Sequence, residues 1–255
     1  MENKTSKYFK YAIGEIILVV IGILIALQIN NWNIAKNNNT YVSLILKEIY
    51  YDLSDDYRII YRGVEPRLER KSLGVEKIKE FMVKGEVPSD SIFMLYYNEM
   101  MRWFILTQRT GAFESLKLGG LDKIDNDMLR TRLLEFYESD LPRSVNFIHQ
   151  ADVLIRERVG VLEADLFNFK FIAVNDSTTA HVMFPKDMSY IHHQSLHKIY
   201  DLLSHDTYNK VFRLKQLKRN YNNVMQMIEK ELEKRKIEFE YFDTSTLKRD
   251  FEQKS

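Results

Sequence analysis

The longest apolar stretch of the chain lies close to its start. From Ile16 to Leu27 every residue is apolar or glycine, and no charged residue occurs between Ile16 and Asn33. A helix from Tyr11 to Trp32 rises about 32 Å at ~1.5 Å per residue, which matches the ~30 Å hydrocarbon core of a bilayer. The pattern therefore predicts one transmembrane helix.

Aromatic side chains flank this helix, where the interfaces of a bilayer would lie. Tyr8 and Tyr11 stand at one end and Trp32 at the other, and we expect these three to act as interface anchors. The chain then divides into three parts: a leader (1–10), a transmembrane helix (11–32) and a helical soluble domain (33–255).

Two alternative interpretations and one charged residue have to be weighed against a membrane helix. A cleaved signal peptide would need a small-x-small cleavage site, which the sequence lacks at the right place. The run of 18 uncharged residues with aromatic flanks is long for a helix that is buried inside a soluble protein. Glu15 is costly in lipid, but it lies four residues inside Tyr11, only ~6 Å deep, where it can reach headgroups. The membrane interpretation is therefore preferred.

Beyond the span, apolar residues recur at three- and four-residue spacings, which is typical of amphipathic helices. Residues 37–39 contain no Pro or Gly, so we expect the membrane helix to continue as a stalk. Residues 167–185 are the least helical and favour a small hairpin or an ordered loop. The predicted helices cover residues 40–64, 66–84, 90–106, 127–138, 141–169, 190–203 and 206–242.

This pattern predicts an all-α fold, in which the transmembrane helix is followed by an antiparallel helical bundle with long coiled-coil-like helices. Gly119-Gly120 is interpreted as a left-handed cap, followed by Asp125 or Asn126 as the cap of the next helix. Asp152 is the single polar residue in the apolar stripe of its helix. We expect it to have a cationic or hydrogen-bonding partner, or to turn towards solvent.

Composition excludes several classes of protein. Hydrophobic residues at 45% rule out a disordered chain, and Lys+Arg 37 against Asp+Glu 36 leaves no global field for polyanions. The absence of Cys removes disulfides, thiolate metal sites and thiol nucleophiles. Residues 207–236 contain nine basic residues and three Glu, and we interpret this basic run as the solvated face of a helix. We therefore expect no nucleic-acid partner.

No motif for catalysis, for a cofactor or for a metal stands out. His193 and His197 have the spacing of paired zinc ligands, but Gln194 replaces the glutamate of the His-Glu-x-x-His pattern and no third ligand can be named. No serine lies in a Gly-x-Ser-x-Gly elbow. The sequence therefore predicts a protein that is not an enzyme.

One face of the membrane helix combines an acidic group with small residues. Glu15, Val19, Gly22 and Ala26 share a broad stripe at 100° per residue. Small residues let helices approach closely in lipid, so this face is predicted to pack against a second copy or another membrane protein. Two alternatives remain: the small residues are incidental and Glu15 reaches the headgroups, or Glu15 carries ions as in a stator subunit.

Lysines set the expected orientation. The leader has three lysines, whereas the residues beyond the span have two before Arg58: Lys4, Lys7 and Lys10 against Lys36 and Lys47. The leader is thus predicted to be cytoplasmic and the large domain periplasmic, with the helix in the bacterial inner membrane.

Two segments carry a resemblance to a known family. The run from Lys10 to Asn33, KYAIGEIILVVIGILIALQINNWN, is similar to the N-terminal signature of an uncharacterised bacterial family of single-pass membrane proteins. A second segment, from Phe113 to Arg130, with Glu135-Phe-Tyr137 after it, resembles the same family. The resemblance implies a membrane anchor and a helical body, and no activity.

The sequence thus favours a membrane-anchored, non-enzymatic helical protein that acts by protein–protein interaction or self-association. A periplasmic ligand-sensing domain that works through a partner is the first alternative. An ion-coupled stator-like subunit using Glu15 is the second.

Overall fold

The computed structural model describes residues 3–175 and 178–243; at residues 3–8, 10–12, 173–175 and 178–181 it describes the backbone alone. The chain begins with helix α1, Asn3–Ile59, which passes through one π-helical turn, Ile60–Val64, into α2, Glu65–Lys84. The predicted stalk is confirmed, because the apolar segment and the first part of the body form one uninterrupted helix.

The remaining elements follow in chain order and are mostly helical, so the all-α class is confirmed. Strands β1 and β2 form the antiparallel hairpin allowed by the sequence, with Phe167 opposite Pro185. The elements are α3 (Asp90–Met100), α4 (Gly111–Gly120), a 3-10 turn (Leu121–Lys123), α5 (Asp127–Glu135), a second π turn (Phe136–Asp140), α6 (Leu141–Leu166), β1 (Phe167–Asn175), β2 (Thr178–Pro185), a 3-10 turn (Met188–His192) and α7 (Gln194–Lys234).

Helix α7 is the central element of the body. It packs against α6, α1 and α2. Its last turn lies beside the start of the body, where Arg235 donates to the side chain of Asn39. Further from the membrane segment, Lys218 pairs with Glu65 at 2.6 Å. Helix α7 therefore runs antiparallel to α1 and α2.

The body contains two separate hydrophobic cores. The proximal core lies next to α1 and the distal core lies around α3 and the end of α2. Buried members of the proximal core include Leu46, Leu53, Leu68, Phe136, Ile148, Leu214 and Tyr221. Buried members of the distal core include Ile78, Phe93, Tyr97, Val159, Leu196, Ile199 and Leu203.

Local signals position several helices as the sequence predicts. Asn126 caps α5 by accepting a hydrogen bond from the backbone N–H of Leu129 at 3.1 Å. Two separate constraints explain why glycine occupies positions 119 and 120. A Cβ at Gly119 would overlap the Tyr41 hydroxyl, and Gly120 has φ +109°. With ψ 101°, however, Gly120 lies outside the left-handed helical region, so the helix does not end in the regular left-handed cap that was predicted.

Four helix boundaries differ from the prediction. Helix α3 ends at Met100, not near residue 106, because the next residues cross the body in an extended segment. The break expected near Pro142 is the second π turn. The break expected before Asp206 does not occur, because α7 continues through it, and α7 ends at Lys234 instead of near residue 242.

Candidate functional site

The stripe on the membrane helix lies on a part of α1 that is exposed throughout. This helix is the one in the described chain that is long and apolar enough to cross a membrane, and its most apolar window is not buried at all. Glu15, Val19, Gly22 and Ala26 are all exposed, and a Cβ at Gly22 would meet nothing within 4 Å. The stripe is therefore open to lipid or to another helix.

The interface anchors can be placed only in part. Trp32 is exposed, and the ammonium of Lys36 lies 5.3 Å from the centre of its ring. The backbones of Tyr8 and Tyr11 belong to α1, but their side chains fall outside the described residues.

Four buried charges lie between the two cores. We call Lys71, Asp152, Asp206 and Lys210 the ionic layer. On each of three helices the charged position is flanked by proximal-core and distal-core residues, so the layer separates the cores. Asp152 was predicted to need a partner, and Lys210 donates a hydrogen bond to it. That prediction is confirmed.

The ionic layer is connected through its lysines. Lys210 Nζ lies 2.9 Å from Asp206 Oδ2, and Lys71 Nζ lies 3.5 Å from the same oxygen. Lys71 also donates to the carbonyl of Arg102 at 3.2 Å. Within the described chain, Asp206 Oδ1 is buried and has no hydrogen-bond partner. One α7 carboxylate therefore binds lysines from two helices while one of its own oxygens stays unsatisfied.

An aromatic ring covers the layer. The Trp103 ring centre lies 4.6 Å from Lys71 Nζ, 5.4 Å from Lys210 Nζ and 4.6 Å from the guanidinium carbon of Arg156. Cations near an indole face are attracted by its quadrupole, more strongly when they are desolvated. Trp103 thus holds positive charge that burial would otherwise disfavour.

Burial dominates the titration of this layer. It lowers the pKa of Lys71 to about 8, although the nearby Asp206 carboxylate opposes that shift. It also raises the pKa of Asp152, against the hydrogen bond from Lys210. Both shifts have the sign of desolvation, which disfavours the charged form of either group. The layer is held together by mutual pairing and not by favourable solvation.

A second carboxylate lies at the centre of the proximal core. Asp56 Oδ2 accepts hydrogen bonds from the Arg109 backbone N–H at 2.9 Å and from the Tyr221 hydroxyl at 3.2 Å. Burial raises the pKa of Asp56 to about 6, with the hydrogen bond from Arg109 acting in the opposite direction. This carboxylate fixes the end of the extended segment 101–110 to α1 and α7.

The extended segment 101–110 links the two polar sites. Its start supplies Trp103 and the Arg102 carbonyl to the ionic layer, and its end supplies the Arg109 N–H to Asp56. In the middle, the Leu106 N–H donates to His149 Nε2 at 3.3 Å. The segment was not predicted from the sequence, whose apolar spacing extends the preceding helix to about residue 106.

The histidines have local roles where contacts are described. His193 caps α7, since its Nδ1 accepts from the Ser195 N–H at 3.1 Å. Among the described residues, no three His, Asp or Glu side chains are grouped closely enough to hold a metal ion. The spacing of His193 and His197 therefore has no geometric support as a metal site in the described chain.

A surface groove of about 630 Å³ lies between α2 and α7. Leu68, Leu73, Val211 and Leu214 provide its apolar lining, and both Leu73 and Val211 are 44% exposed. Charged residues of opposite sign border it: Glu65, Glu69 and Glu76 from α2, and Lys215, Lys218 and Arg219 from α7. Lys218 and Glu65, on opposite borders, pair with each other at 2.6 Å.

The missed members of the ionic layer had a sequence signal. Lys71 falls in the apolar register of α2, between Leu68 and Ile78, and Lys210 falls between Leu203 and Leu214 on α7. A polar residue at a core register is the same signal that identified Asp152. Lys210 was instead counted as part of a solvated basic face, and that interpretation was wrong for this residue, which is 1% exposed.

The comparisons with known proteins identify a family and no activity. Residues 15–138, just under half of the 255 residues, match the model of a family of unknown function, DUF6090. Over this region the chain is similar to that uncharacterised family, in agreement with the resemblance noted in its sequence. No curated protein and no solved structure matches the chain significantly.

Proposed function

We propose that this chain is a membrane-anchored, non-enzymatic protein of the bacterial inner membrane, which acts by associating with a second copy or with another membrane protein through its anchor. In this proposal the leader is cytoplasmic and the helical body periplasmic. The observation that carries it is the exposed apolar segment of α1, none of whose most apolar window is buried by the rest of the described chain.

Physical chemistry supports a membrane location for this segment. A soluble protein rarely leaves a contiguous apolar surface of this size in water. In a bilayer the same surface is stabilised by acyl chains, and every backbone hydrogen bond is satisfied within the helix. The uninterrupted continuation into α2 then holds the body close to the membrane.

The stripe supports association within the membrane. Lipid provides no hydrophobic drive for helices to associate, so close packing of small residues and interhelical hydrogen bonds decide which faces meet. Gly22 and Ala26 are small, and Glu15 on the same stripe is an ionisable group in need of a partner. No other face of this segment combines these two properties.

The test is the oligomeric state of the full chain in detergent, measured by light scattering after size-exclusion chromatography. The wild type is expected to form an oligomer, and Gly22→Leu is expected to be monomeric, because a larger side chain separates the backbones. Gly14→Leu is the matched control. It makes the same chemical change roughly 110° from the centre of the stripe, at ~100° per residue.

A Cβ added at either glycine would meet nothing within 4 Å, so both variants are expected to fold. Self-association through the stripe is overturned by a wild-type monomer, or by an oligomer that survives Gly22→Leu unchanged; a monomer would leave another membrane protein as the partner. Loss of the oligomer in Gly14→Leu alone would place the contact on a different face.

A second candidate function, ligand sensing through a partner, is favoured by one observation. The helix that contains the stripe also contains Lys71 of the ionic layer, without an interruption. A change of state in the body could therefore reach the membrane segment through one rigid element. A small molecule retained by the purified full chain, detected by native mass spectrometry, would favour this function over association alone.

A further inference from the structure

The groove between α2 and α7 has one edge of each charge. Glu69 and Glu76 lie on the α2 edge and Lys215 lies on the α7 edge. All three are exposed, and among the described residues none of them forms an ion pair. They differ in this respect from Glu65 and Lys218, which bind each other at 2.6 Å. The groove therefore presents an acidic and a basic edge whose charges are open to a binding partner.

Exposed apolar surface lies between these edges. Leu73 of α2 and Val211 of α7 line the groove, and each is 44% exposed. Tyr208 is 71% exposed and shares one stripe of α7 with Val211 and Lys215, at spacings of three and four residues. An apolar centre inside a polar, charged rim is the usual anatomy of a protein–protein interface.

The charged residues of the two edges lie at matching heights along the helices. Starting from the ion pair of Lys218 and Glu65, Lys215 lies three residues back along α7 and Glu69 lies four residues on along α2. Because α7 is antiparallel to α2, both steps run in the same direction, over about 4.5 Å and 6 Å at ~1.5 Å per residue. Glu69 and Lys215 are therefore nearly level.

The apolar residues follow the same registration. Counted from the same ion pair, Val211 and Leu73 lie about 10.5 Å and 12 Å along their helices, at ~1.5 Å per residue. Tyr208 and Glu76 lie about 15 Å and 16.5 Å along them by the same count. Each residue of one edge thus has a residue of complementary chemistry at its own height on the other edge.

Membrane anchoring limits how two copies of the chain can meet. Closed dimers have two-fold symmetry, and two copies inserted in the same direction can be related only by an axis perpendicular to the bilayer. In the proposed membrane arrangement, α2 continues the helix that crosses the bilayer, so this axis runs along the groove. A two-fold rotation about it places α2 of one copy opposite α7 of the other, with residues of equal height facing each other.

Under this rotation the two faces are complementary. Glu69 of each copy faces Lys215 of the other, and Leu73 faces Val211. An inverted pair would instead place α2 opposite α2, so that acidic residues would face acidic residues, which is unfavourable. The charges of the groove therefore favour the arrangement that a common orientation in the membrane allows.

We propose that the groove between α2 and α7 is the interface through which the body of the chain binds a second copy of itself, as a parallel two-fold dimer. This inference rests on the proposed function, because both copies must be anchored in the same membrane. Anchoring also raises the effective concentration of one body near the other, so an interface of modest size is sufficient. The groove and the Gly22 stripe are separate contacts in this proposal.

The first test uses the absence of cysteine from the chain. Leu73→Cys gives a full chain with a single thiol, so every thiol-to-thiol crosslink joins two copies. Val161→Cys is the control, because Val161 is 73% exposed on α6, outside the groove. In membranes of the expressing cells, a short bifunctional maleimide is expected to crosslink Leu73→Cys in about tenfold higher yield, because only the groove position is held next to its counterpart.

The second test reverses the charges of the two edges. In the Leu73→Cys background, Glu69→Lys places lysine opposite lysine and is expected to lower the yield of crosslinked dimer by about tenfold. Adding Lys215→Glu makes the charges opposite again and is expected to restore the yield. Glu157→Lys, with and without Lys198→Glu, is the matched control, because both residues are exposed and lie outside the groove. Circular dichroism checks that each variant folds.

The outcomes separate this inference from the proposed function. An oligomeric wild type whose Leu73→Cys variant crosslinks no better than Val161→Cys overturns the groove interface and leaves association through the anchor. An unchanged yield in Glu69→Lys, or a folded double reversal that does not recover the yield, also contradicts the interface. Crosslinking of Leu73→Cys that persists together with Gly22→Leu supports the groove while it overturns the contact through the stripe. A monomeric wild type overturns both contacts.

Discussion

At the scale of single residues, the ionic layer is the feature that differs most from an ordinary helical bundle. Two lysines and two aspartates occupy positions where their helices otherwise bury apolar side chains. Burial of charge is costly, and a buried ion pair often contributes little net stability, but removing one partner leaves an uncompensated charge. We therefore expect the layer to act mainly on which helices pair and in what register.

The first residue-scale prediction concerns Lys210→Met. This change leaves Asp152 and Asp206 with one lysine between them and is expected to lower the free energy of unfolding by about 3–5 kcal/mol. Lys198→Met, on the same helix but exposed, is the control and is expected to change it by less than about 0.5 kcal/mol. Urea unfolding of the full chain in detergent, followed by circular dichroism, measures both. Equal changes in the free energy of unfolding for the two variants would show that the ionic layer does not contribute to stability.

The second residue-scale prediction concerns pH. The pKa of Asp56 is raised from 3.8 to about 6 in the folded chain, so the folded state binds more protons between these values. The contribution of Asp56 to stability is therefore present below pH 4 and is lost as the pH rises through 6. Asp56→Asn is expected to remove this loss and to raise the free energy of unfolding at pH 7 by about 1–2 kcal/mol.

Unfolding curves at pH 4.5 and pH 7 compare Asp56→Asn with Asp55→Asn. Asp55 is the adjacent carboxylate, with a side chain that is 44% exposed, and Asp55→Asn is expected to keep the pH dependence of the wild type. A wild type and an Asp56→Asn variant with parallel pH dependence would contradict the assignment.

At the scale of elements, the two π turns each accommodate a proline within a continuous helical stretch. In each, a backbone N–H bonds five residues back, from Glu65 to Ile60 and from Leu141 to Phe136. In each case a proline, Pro66 or Pro142, is the second residue of the helix that follows the π turn. A proline cannot donate to the helix and its ring crowds the carbonyl four residues earlier. The wider turn accommodates this without ending the helix.

These turns show what a sequence reveals about helices and what it does not. The prolines predicted new helices at both positions, and helices do begin there by hydrogen-bond pattern. The continuity of the axis through each proline could not be predicted, because it depends on buried side chains such as Ile60 and Phe136 packing against distant parts of the chain. Local signals locate boundaries, whereas tertiary packing decides whether a boundary bends the chain.

The element-scale prediction concerns the contact between α2 and α3. A Cβ at Gly74 would overlap the Met100 nitrogen and lie 2.7 Å from the Tyr96 carbonyl oxygen, so backbone would have to move. Gly74→Ala is expected to lower the free energy of unfolding by about 1–3 kcal/mol. Gly63→Ala has nothing within 4 Å and is expected to stabilise by up to ~1 kcal/mol. Chemical denaturation that finds both variants stabilised would contradict the close approach.

At the scale of the whole molecule, a helix long and apolar enough to cross a membrane, the helical class and the need of Asp152 for a partner were predictable from the sequence. The span follows from a long apolar run, and the class from regular spacing in a chain with few glycines and prolines. The crossing of segment 101–110, the burial of Lys210 and the separation of two cores were not predictable. Each depends on contacts between residues more than 30 positions apart, which periodicity does not encode.

In the proposed membrane arrangement, the helix that continues from Asn3 through the π turn to Lys84 fixes the rotation of the body relative to the bilayer. Each residue of such a rod contributes ~1.5 Å of height and ~100° of rotation. The number of residues between Trp32 and the first packed turn at Val42 therefore sets which side of the body faces a neighbour when the Gly22 stripe is engaged. One residue added there would rotate the body by more than a quarter of a circle relative to the Gly22 stripe, whereas seven added residues would almost restore its original orientation.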